Sequence, residues 1–253
     1  MKNKTTNWET SSEWYDKVVG NKGHYYHEHL ILPKVTSWFR KTELTSLIDL
    51  ACGNGILSRY ISKDVHYLGL DGSPSLIKSA LQQKATPSHE FKVQDLMQPF
   101  DSSKKFSHAA CILAIQNLQD PLPLFETAAR CLKEKGLFII VLNHPCFRIP
   151  RQSSWGIDIE KKTQYRRIDR YMSPLEIPIQ THPGHGEKPC QTWSFHHPLS
   201  LFVSHLSKAG FCLLDLEEWC SDKVSQGKQA TMENRSRKEF PLFLTLIAKK
   251  LSS

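Results

Sequence analysis

The stretch IDLACGNGILSRY, residues 48–60, decides the fold. The apolar run LTSLIDLA (Leu44 to Ala51) reads as a buried strand, and past Asp49 the chain enters a turn of small residues. Ala51, Cys52, Gly53, Asn54 and Gly55 make that turn, and a helix is predicted over Ile56 to Ser62. With no Cβ at the glycines the backbone can approach a ligand closely, and the N–H groups of a helix start point at it. A second strand, VHYLGLD, closes at Asp71. Ligands of open α/β sheets bind beyond the carboxyl ends of the strands, where an acid can accept two hydrogen bonds from a ribose diol.

Outward from this turn, apolar runs alternate with helical stretches. Pro74 after Ser73 suits the first turn of a helix reaching about Gln83. FKVQD (Phe91 to Asp95) and HAACILAI (His108 to Ile115) read as the third and fourth strands, and Leu122 to Lys133 as an amphipathic helix closed by Lys135 and Gly136. GLFIIVLN (Gly136 to Asn143) is a fifth strand. Nearly continuous apolar strands separated by helices mean a parallel sheet with crossovers. The pattern breaks over 145–195, rich in Pro, Arg, Trp and Tyr, and resumes with a helix from Pro198 to Ala209. The strand FCLLDLEEW, a polar loop of roughly twenty residues and the strand PLFLTLIAKK follow, and two strands without an intervening helix pair antiparallel. The expected fold is therefore α/β, a doubly wound, mostly parallel seven-stranded sheet with a C-terminal antiparallel hairpin. Residues 1–43 form a helical N-terminal lid and 44–253 the main domain, with a cap at 145–195 after strand five.

Two details narrow the ligand. A dinucleotide turn G-x-G-x-x-G needs a third glycine at position 58, which is Ser58. Asp49, just before the turn, would repel a pyrophosphate and suits an ammonium group instead. The ligand implied carries a ribose and an ammonium but no phosphate. Here the chain resembles the class I S-adenosylmethionine-dependent methyltransferases, whose first motif is an acid followed by a small-residue turn ending G-x-G. Asp49 to Gly55 (DLACGNG) matches it, with Ala51 where a glycine is commoner. The resemblance extends to Asp71, Gly72 and Ser73 as the ribose-binding acid and its turn. It extends further to Gln94, Asp95 and Leu96, where the family sets a carboxylate against the adenine amino group. ILAIQNLQD (Ile112 to Asp120), with Leu113, Ala114, Ile115 and Asn117, looks like the motif flanking the methionine end. It implies S-adenosylmethionine as cofactor, S-adenosylhomocysteine as product, and transfer of the sulfonium methyl to an O, N or C atom by in-line displacement.

The acceptor is less legible. An N/D-P-P-Y/F motif, which marks enzymes acting on amide or adenine nitrogens, is replaced by Ala114, Ile115, Gln116 and Asn117. Cys146, just past strand five, is a candidate nucleophile of the cytosine C5 type but lacks the accompanying proline-containing motif; the alternative is a loop thiol. His144, at the carboxyl end of strand five, titrates near working pH and is a candidate base; the alternative is a histidine bonded to its own loop. In GHYYHEH, Tyr25 and Tyr26 are lid candidates that would contact cofactor and substrate, with a packing role as the alternative. Neither His24, His27 and His29 nor His182, His185, Cys190, His196 and His197 has standard metal-ligand spacing, so no metal is expected.

Composition bounds the remainder. The chain has 253 residues, 33 Lys plus Arg against 25 Asp plus Glu, a net charge of +8 and 40% hydrophobic residues, which excludes a disordered chain. No apolar run approaches the ~20 residues of a membrane span, and no apolar stretch follows the N-terminal lysines as in a secretory signal. Seven cysteines, none in a C-x-x-C pair, fit a reduced cytoplasm. Arg148, Arg151, Lys161, Lys162, Arg166, Arg167 and Arg170 concentrate the positive charge in the cap, with Trp155, Tyr165 and Tyr171 between them. Basic and aromatic residues together suit an acidic metabolite or single-stranded nucleic acid; the plain alternative is a solvated face, since alternation over Tyr165 to Met172 suggests a strand that carries its arginines outward. Arg148, Arg151, Trp155 and Tyr171 are the substrate-binding candidates. A small, anionic or aromatic metabolite is the first expectation for the acceptor. RNA is the second, and a non-catalytic regulatory protein that binds S-adenosylmethionine the third. Monomer and dimer both remain open.

Overall fold

The computed structural model describes residues 8–12, 19–20, 23–84, 86–181 and 190–252. After a π-helical turn (His27–Ile31), α1 (Leu32–Lys41) leads into β1 (Ser46–Leu50). Then come β2 (His66–Asp71), α2 (Pro74–Gln82), β3 (His89–Val93), β4 (Phe106–Ile112), α3 (Leu122–Cys131) and β5 (Leu132–Asn143). The insertion holds β6 (Ser153–Asp158), β7 (Thr163–Ile168), β8 (Leu175–Thr181) and β9 (Cys190–His196). It is followed by α4 (Leu199–Lys208), β10 (Phe211–Trp219), α5 (Ala230–Glu239) and β11 (Phe243–Lys250).

The main sheet has seven strands in the order β10-β11-β5-β4-β1-β2-β3. β1 pairs in parallel with β2 and β4, β2 with β3 and β4 with β5, whereas β11 is antiparallel to both β5 and β10. Chain order reverses between β1 and β4, and that switch point opens a crevice at the strands' carboxyl ends. Alternate residues feed two cores. Ile48, Leu50, Leu68 and Leu70 pack with α3 and α4 on one face, and Leu47 and Tyr67 pack with α1 and α2 on the other. The helices follow from local sequence. Leu32, Val35 and Phe39 recur at helical spacing along the buried side of α1. Ser73 caps α2 by accepting a bond from the Leu76 N–H at 3.2 Å, with Pro74 in the first turn.

Four local expectations change. Ile56 to Ser62 is not an α-helix: a single 3₁₀ turn, Leu57–Tyr60, follows the glycine turn. α3 stops at Cys131 and runs directly into β5, which therefore starts at Leu132 and absorbs Lys135 and Gly136 as an irregularity opposite Phe106 and His108. The loop between β10 and β11 contains α5. The 145–195 insertion forms two antiparallel hairpins, β6–β7 and β8–β9, with the expected strand at Tyr165 to Met172 shifted to Thr163–Ile168. Among the described residues no helix is long and apolar enough to cross a membrane, and no three metal-ligand side chains converge. His182 and His185 lie outside the described residues.

Candidate active site

The turn after β1 is built from left-handed backbone. Ala51, Gly53 and Gly55 have φ of 62°, 56° and 75°, conformations that favour glycine and that Ala51 adopts at some cost. At Gly55 a Cβ would approach Phe91 Cε1 to 2.8 Å and Ala80 Cβ to 3.2 Å, so strain and crowding both require glycine. Gly55→Ala is expected to destabilise the protein by about 1–3 kcal/mol, read as a lower Tm in thermal unfolding; an unchanged Tm would contradict this packing.

Two carboxylates flank the turn. Asp71, ending β2, accepts the Gly53 N–H at Oδ2 and the Ser73 N–H at Oδ1, each at 2.9 Å. These bonds fix the carboxylate across the glycine turn, and each oxygen keeps accepting capacity. Burial raises the Asp71 pKa against the pull of the two N–H groups, and the nearby Glu9 charge adds to the rise. Asp49 is 3% exposed and accepts the Tyr67 hydroxyl at 2.6 Å. Burial lifts its pKa to about 7, with the Tyr67 bond opposing and the Asp71 charge assisting. Cys52 and Asn54 are buried within the turn, the Cys52 N–H bonding the Leu70 carbonyl at 2.9 Å.

Beside them, the Gln94 N–H donates to the Asp71 carbonyl at 2.8 Å, which draws the start of the third-strand segment to the same spot. Gly72 is open, with only the Gln94 carbonyl near a would-be Cβ, and Leu96 is buried. Asp95 is exposed and turns back to accept its own Met97 N–H at 2.9 Å. On the neighbouring strand Leu113 has φ 53°, donates to the Val141 carbonyl at 2.7 Å and opens the short turn Ile115–Asn117. Ala114 precedes that turn, and the Gln116 side chain within it donates to the Leu113 carbonyl at 2.7 Å. A strained non-glycine residue at a strand's carboxyl end is a mark of functional sites.

Past β5 the chain forms a second wall. His144 is 1% exposed; its Nδ1 accepts the Cys146 N–H at 3.2 Å, so Nε2 carries the proton and donates to Glu218 Oε1 at 2.7 Å. Burial lowers its pKa, with Glu218 pulling the other way. Arg148 lies half-buried across the Phe243 ring, donating through Nη1 to Asn143 Oδ1 at 2.7 Å and to the Leu242 carbonyl at 3.3 Å. Among the described residues no carboxylate pairs with it, and burial lowers its pKa. Tyr26 packs on Phe243 and shares a 3.0 Å bond with Ser221, while Tyr25 donates to Asp222 at 3.2 Å under the Lys223 ammonium.

The structure thus gathers residues 49–55, 71–73 and 94 at the switch point, 113–117 on the adjacent strand, and Tyr26, His144 and Arg148 beyond it. It does not bring in Arg151, which is exposed at a turn with φ 60°, or Tyr171, whose hydroxyl accepts the Leu199 N–H at 3.0 Å beside α4. Trp155 stands farther out, edge-on to Phe240. The seven basic residues of the cap do not act as one surface: five are exposed, and Arg167 is paired with Asp169 at 2.6 Å. Only Arg148 and Arg166 turn inward.

Sequence reasoning missed Tyr67, Glu218 and Glu9. Glu9 accepts the Ser73 hydroxyl at 2.5 Å, the Ser75 N–H at 3.1 Å and the Ser75 hydroxyl, bringing the N-terminal segment to the tip of α2 beside Asp71. Those serine hydroxyls hold its pKa below the ordinary value. Three carboxylates and a left-handed turn make a cradle that fits a cation and repels phosphate.

Residues 48–140 match the family model described as a methyltransferase domain. The match spans β1 through most of β5, the part of the sheet that carries the glycine turn and Asp71. Solved structures share the fold. An S-adenosylmethionine-dependent methyltransferase from Mesorhizobium loti is 23% identical with a TM-score of 0.66, covering 86% of this chain and 96% of its own. One from Clostridium acetobutylicum ATCC 824 is 16% identical with a TM-score of 0.63, covering 97% and 99%. The glycopeptide N-methyltransferase MtfA, complexed with S-adenosylmethionine, is 14% identical with a TM-score of 0.59, covering 98% and 100%. Among curated protein sequences none matches the chain.

Proposed function

We propose that this methyltransferase acts on a small anionic metabolite, in a reduced, cytoplasmic setting, with the acceptor's negative group on Arg148. The observation that carries this reading is the Arg148 guanidinium itself: a half-buried cation at the carboxyl end of β5 with, among the described residues, only neutral oxygens as hydrogen-bond partners. Buried charges are ordinarily paired, so the missing counter-ion is assigned to the substrate.

Bound S-adenosylmethionine supplies a methyl on a sulfonium, a leaving group that needs little further activation. Asp71 holds the ribose diol, the Gln94–Leu96 segment borders the adenine, and Asp49 faces the ammonium across the Ala51–Gly55 turn. Leu113, Ala114, Ile115 and Asn117 wall the methionine end. The chain's main catalytic task is positioning, since holding a nucleophile in line with a methyl is worth up to ~7–11 kcal/mol in well-oriented systems. A base is required only for an acceptor that arrives protonated. His144 serves there through Glu218: its Nε2–H orients the carboxylate, whose side chain is 52% exposed and free to take the proton. Tyr25 and Tyr26, tied to Ser221 and Asp222, close the entrance over both ligands.

Asp49 gives this reading a pH test. With a pKa of about 7 in the free protein, Asp49 is neutral below that pH and ionised above it. An ammonium ligand selects the ionised form, so affinity falls as pH falls. S-adenosylhomocysteine, titrated calorimetrically, should bind in the micromolar range near pH 8 and about tenfold more weakly near pH 6. Tyr67→Phe removes the bond that opposes the rise, and so moves the midpoint upward. A flat profile over this range, in both proteins, would remove Asp49 from the ammonium site. Absence of binding would overturn the cofactor reading altogether.

A further inference from the structure

A cavity of about 200 Å³ lies between the β6–β7 hairpin and α5, lined by Trp155, Gln164, Ser221, Glu233, Arg237 and Phe240. We propose that it recognises an aromatic, amino-acid-like zwitterion, and that this is the part of the methyl acceptor by which the enzyme knows it. The second clause rests on the methyl-transfer reading above; the first does not.

The lining is chemically specific. Glu233 and Arg237 stand one turn apart on α5, the spacing at which opposite charges normally pair, yet no ion pair joins them among the described residues. Arg237 is held from behind by Ser225, whose hydroxyl accepts from Nε at 3.2 Å and Nη2 at 2.9 Å, leaving Nη1 toward a ligand. An anion alone would meet the Glu233 carboxylate, and a cation alone the Arg237 guanidinium. A ligand carrying both an ammonium and a carboxylate satisfies each. Trp155 and Phe240, edge to face with ring centroids 5.3 Å apart, supply an apolar corner. The volume, well under the roughly 300–1,000 Å³ of drug-sized pockets, suits one ring and a short polar chain.

The walls are braced. Ser236 donates to Gln164 Oε1 at 2.5 Å, clasping α5 to the hairpin and leaving the Gln164 amide N–H groups to the ligand side. Two lining residues tie the cavity to the proposed acceptor site. Ser221 bonds Tyr26, and Leu242, also in the lining, offers the carbonyl that accepts from the His144 N–H and from Arg148.

The test is calorimetric, with L-phenylalanine, N-acetyl-L-phenylalanine and phenethylamine as probes on the full chain. L-Phenylalanine should bind, and loss of either charged group should weaken binding about tenfold or more, the worth of one charge-assisted hydrogen bond. Arg237→Leu should erase the preference over phenethylamine, and Glu233→Leu the preference over the N-acetyl compound. No binding of L-phenylalanine, equal affinity for the three probes, or binding indifferent to both substitutions would each overturn the proposal. S-Adenosylhomocysteine titrated into the same variants should bind as in the unaltered protein. Failure of that titration strikes the cofactor reading and leaves the cavity's probe preferences standing.

Discussion

Replacing Asp71 by alanine is expected to weaken S-adenosylhomocysteine binding about a hundredfold, because the two charge-assisted hydrogen bonds that its proposed role gives it to the ribose disappear together. The carboxylate also organises the site. It spans from the Gly53 N–H to the Ser73 N–H, so its loss frees the glycine turn from the start of α2. Asp71→Asn separates these roles, since the amide keeps the shape but offers one acceptor oxygen in place of two. It should bind at an intermediate level. Removing Asp71 also relieves repulsion with Glu9, so the change in Tm should be small beside the change in affinity. A Kd within threefold of the unaltered protein would place the ribose elsewhere.

Arg148→Leu is expected to raise the acceptor KM about thirtyfold or more, the loss of one strong charge-assisted contact to an anion. The Kd for S-adenosylhomocysteine should not move, because Arg148 touches Asn143, Leu242 and Phe243 rather than the glycine turn. Stability gives an independent sign. A half-buried guanidinium that no carboxylate among the described residues pairs with costs desolvation, which leucine removes, so Tm should hold or rise. A lower Tm with unchanged KM would make Arg148 a structural residue of the β5–β11 seam. Steady-state kinetics and thermal unfolding on the same variant distinguish the two.

Much of this site was readable because its parts are local in sequence. The left-handed turn shows itself in Gly53 and Gly55, the carboxylate that spans it in the Asp at the end of an apolar strand, and the α2 cap in Ser73 followed by Pro74. The helix expected at Ile56 to Ser62 failed because its apolar residues are buried whatever the local winding, and four residues of 3₁₀ turn suffice to reach Ile61. Within 145–195 only one strand was readable, near Tyr165 to Met172 and shifted from its place at Thr163–Ile168, because each hairpin is short and open to solvent on one side, so the alternation is weak.

Partners distant in the chain stayed hidden for a different reason. Tyr67 meets Asp49 across neighbouring parallel strands, Glu218 meets His144 through an antiparallel detour by way of β11, and Glu9 reaches Ser73 from the far end of the chain. None of these pairs leaves a periodic or spaced signal. The basic cap shows the converse error. Seven positive charges crowd together in sequence, but neighbours on a strand alternate faces, so Arg166 turns inward and Arg167 outward on β7, and of the other five only Arg148 is not exposed.

The most direct test of the proposed activity is transfer of a labelled methyl from S-adenosylmethionine into a fractionated extract, comparing the unaltered protein with Asp71→Ala. Label should enter a small acidic species that binds an anion exchanger, and the variant should lose nearly all of it. Label recovered in RNA or protein, or no transfer by the unaltered enzyme, would contradict a small anionic acceptor held by Arg148.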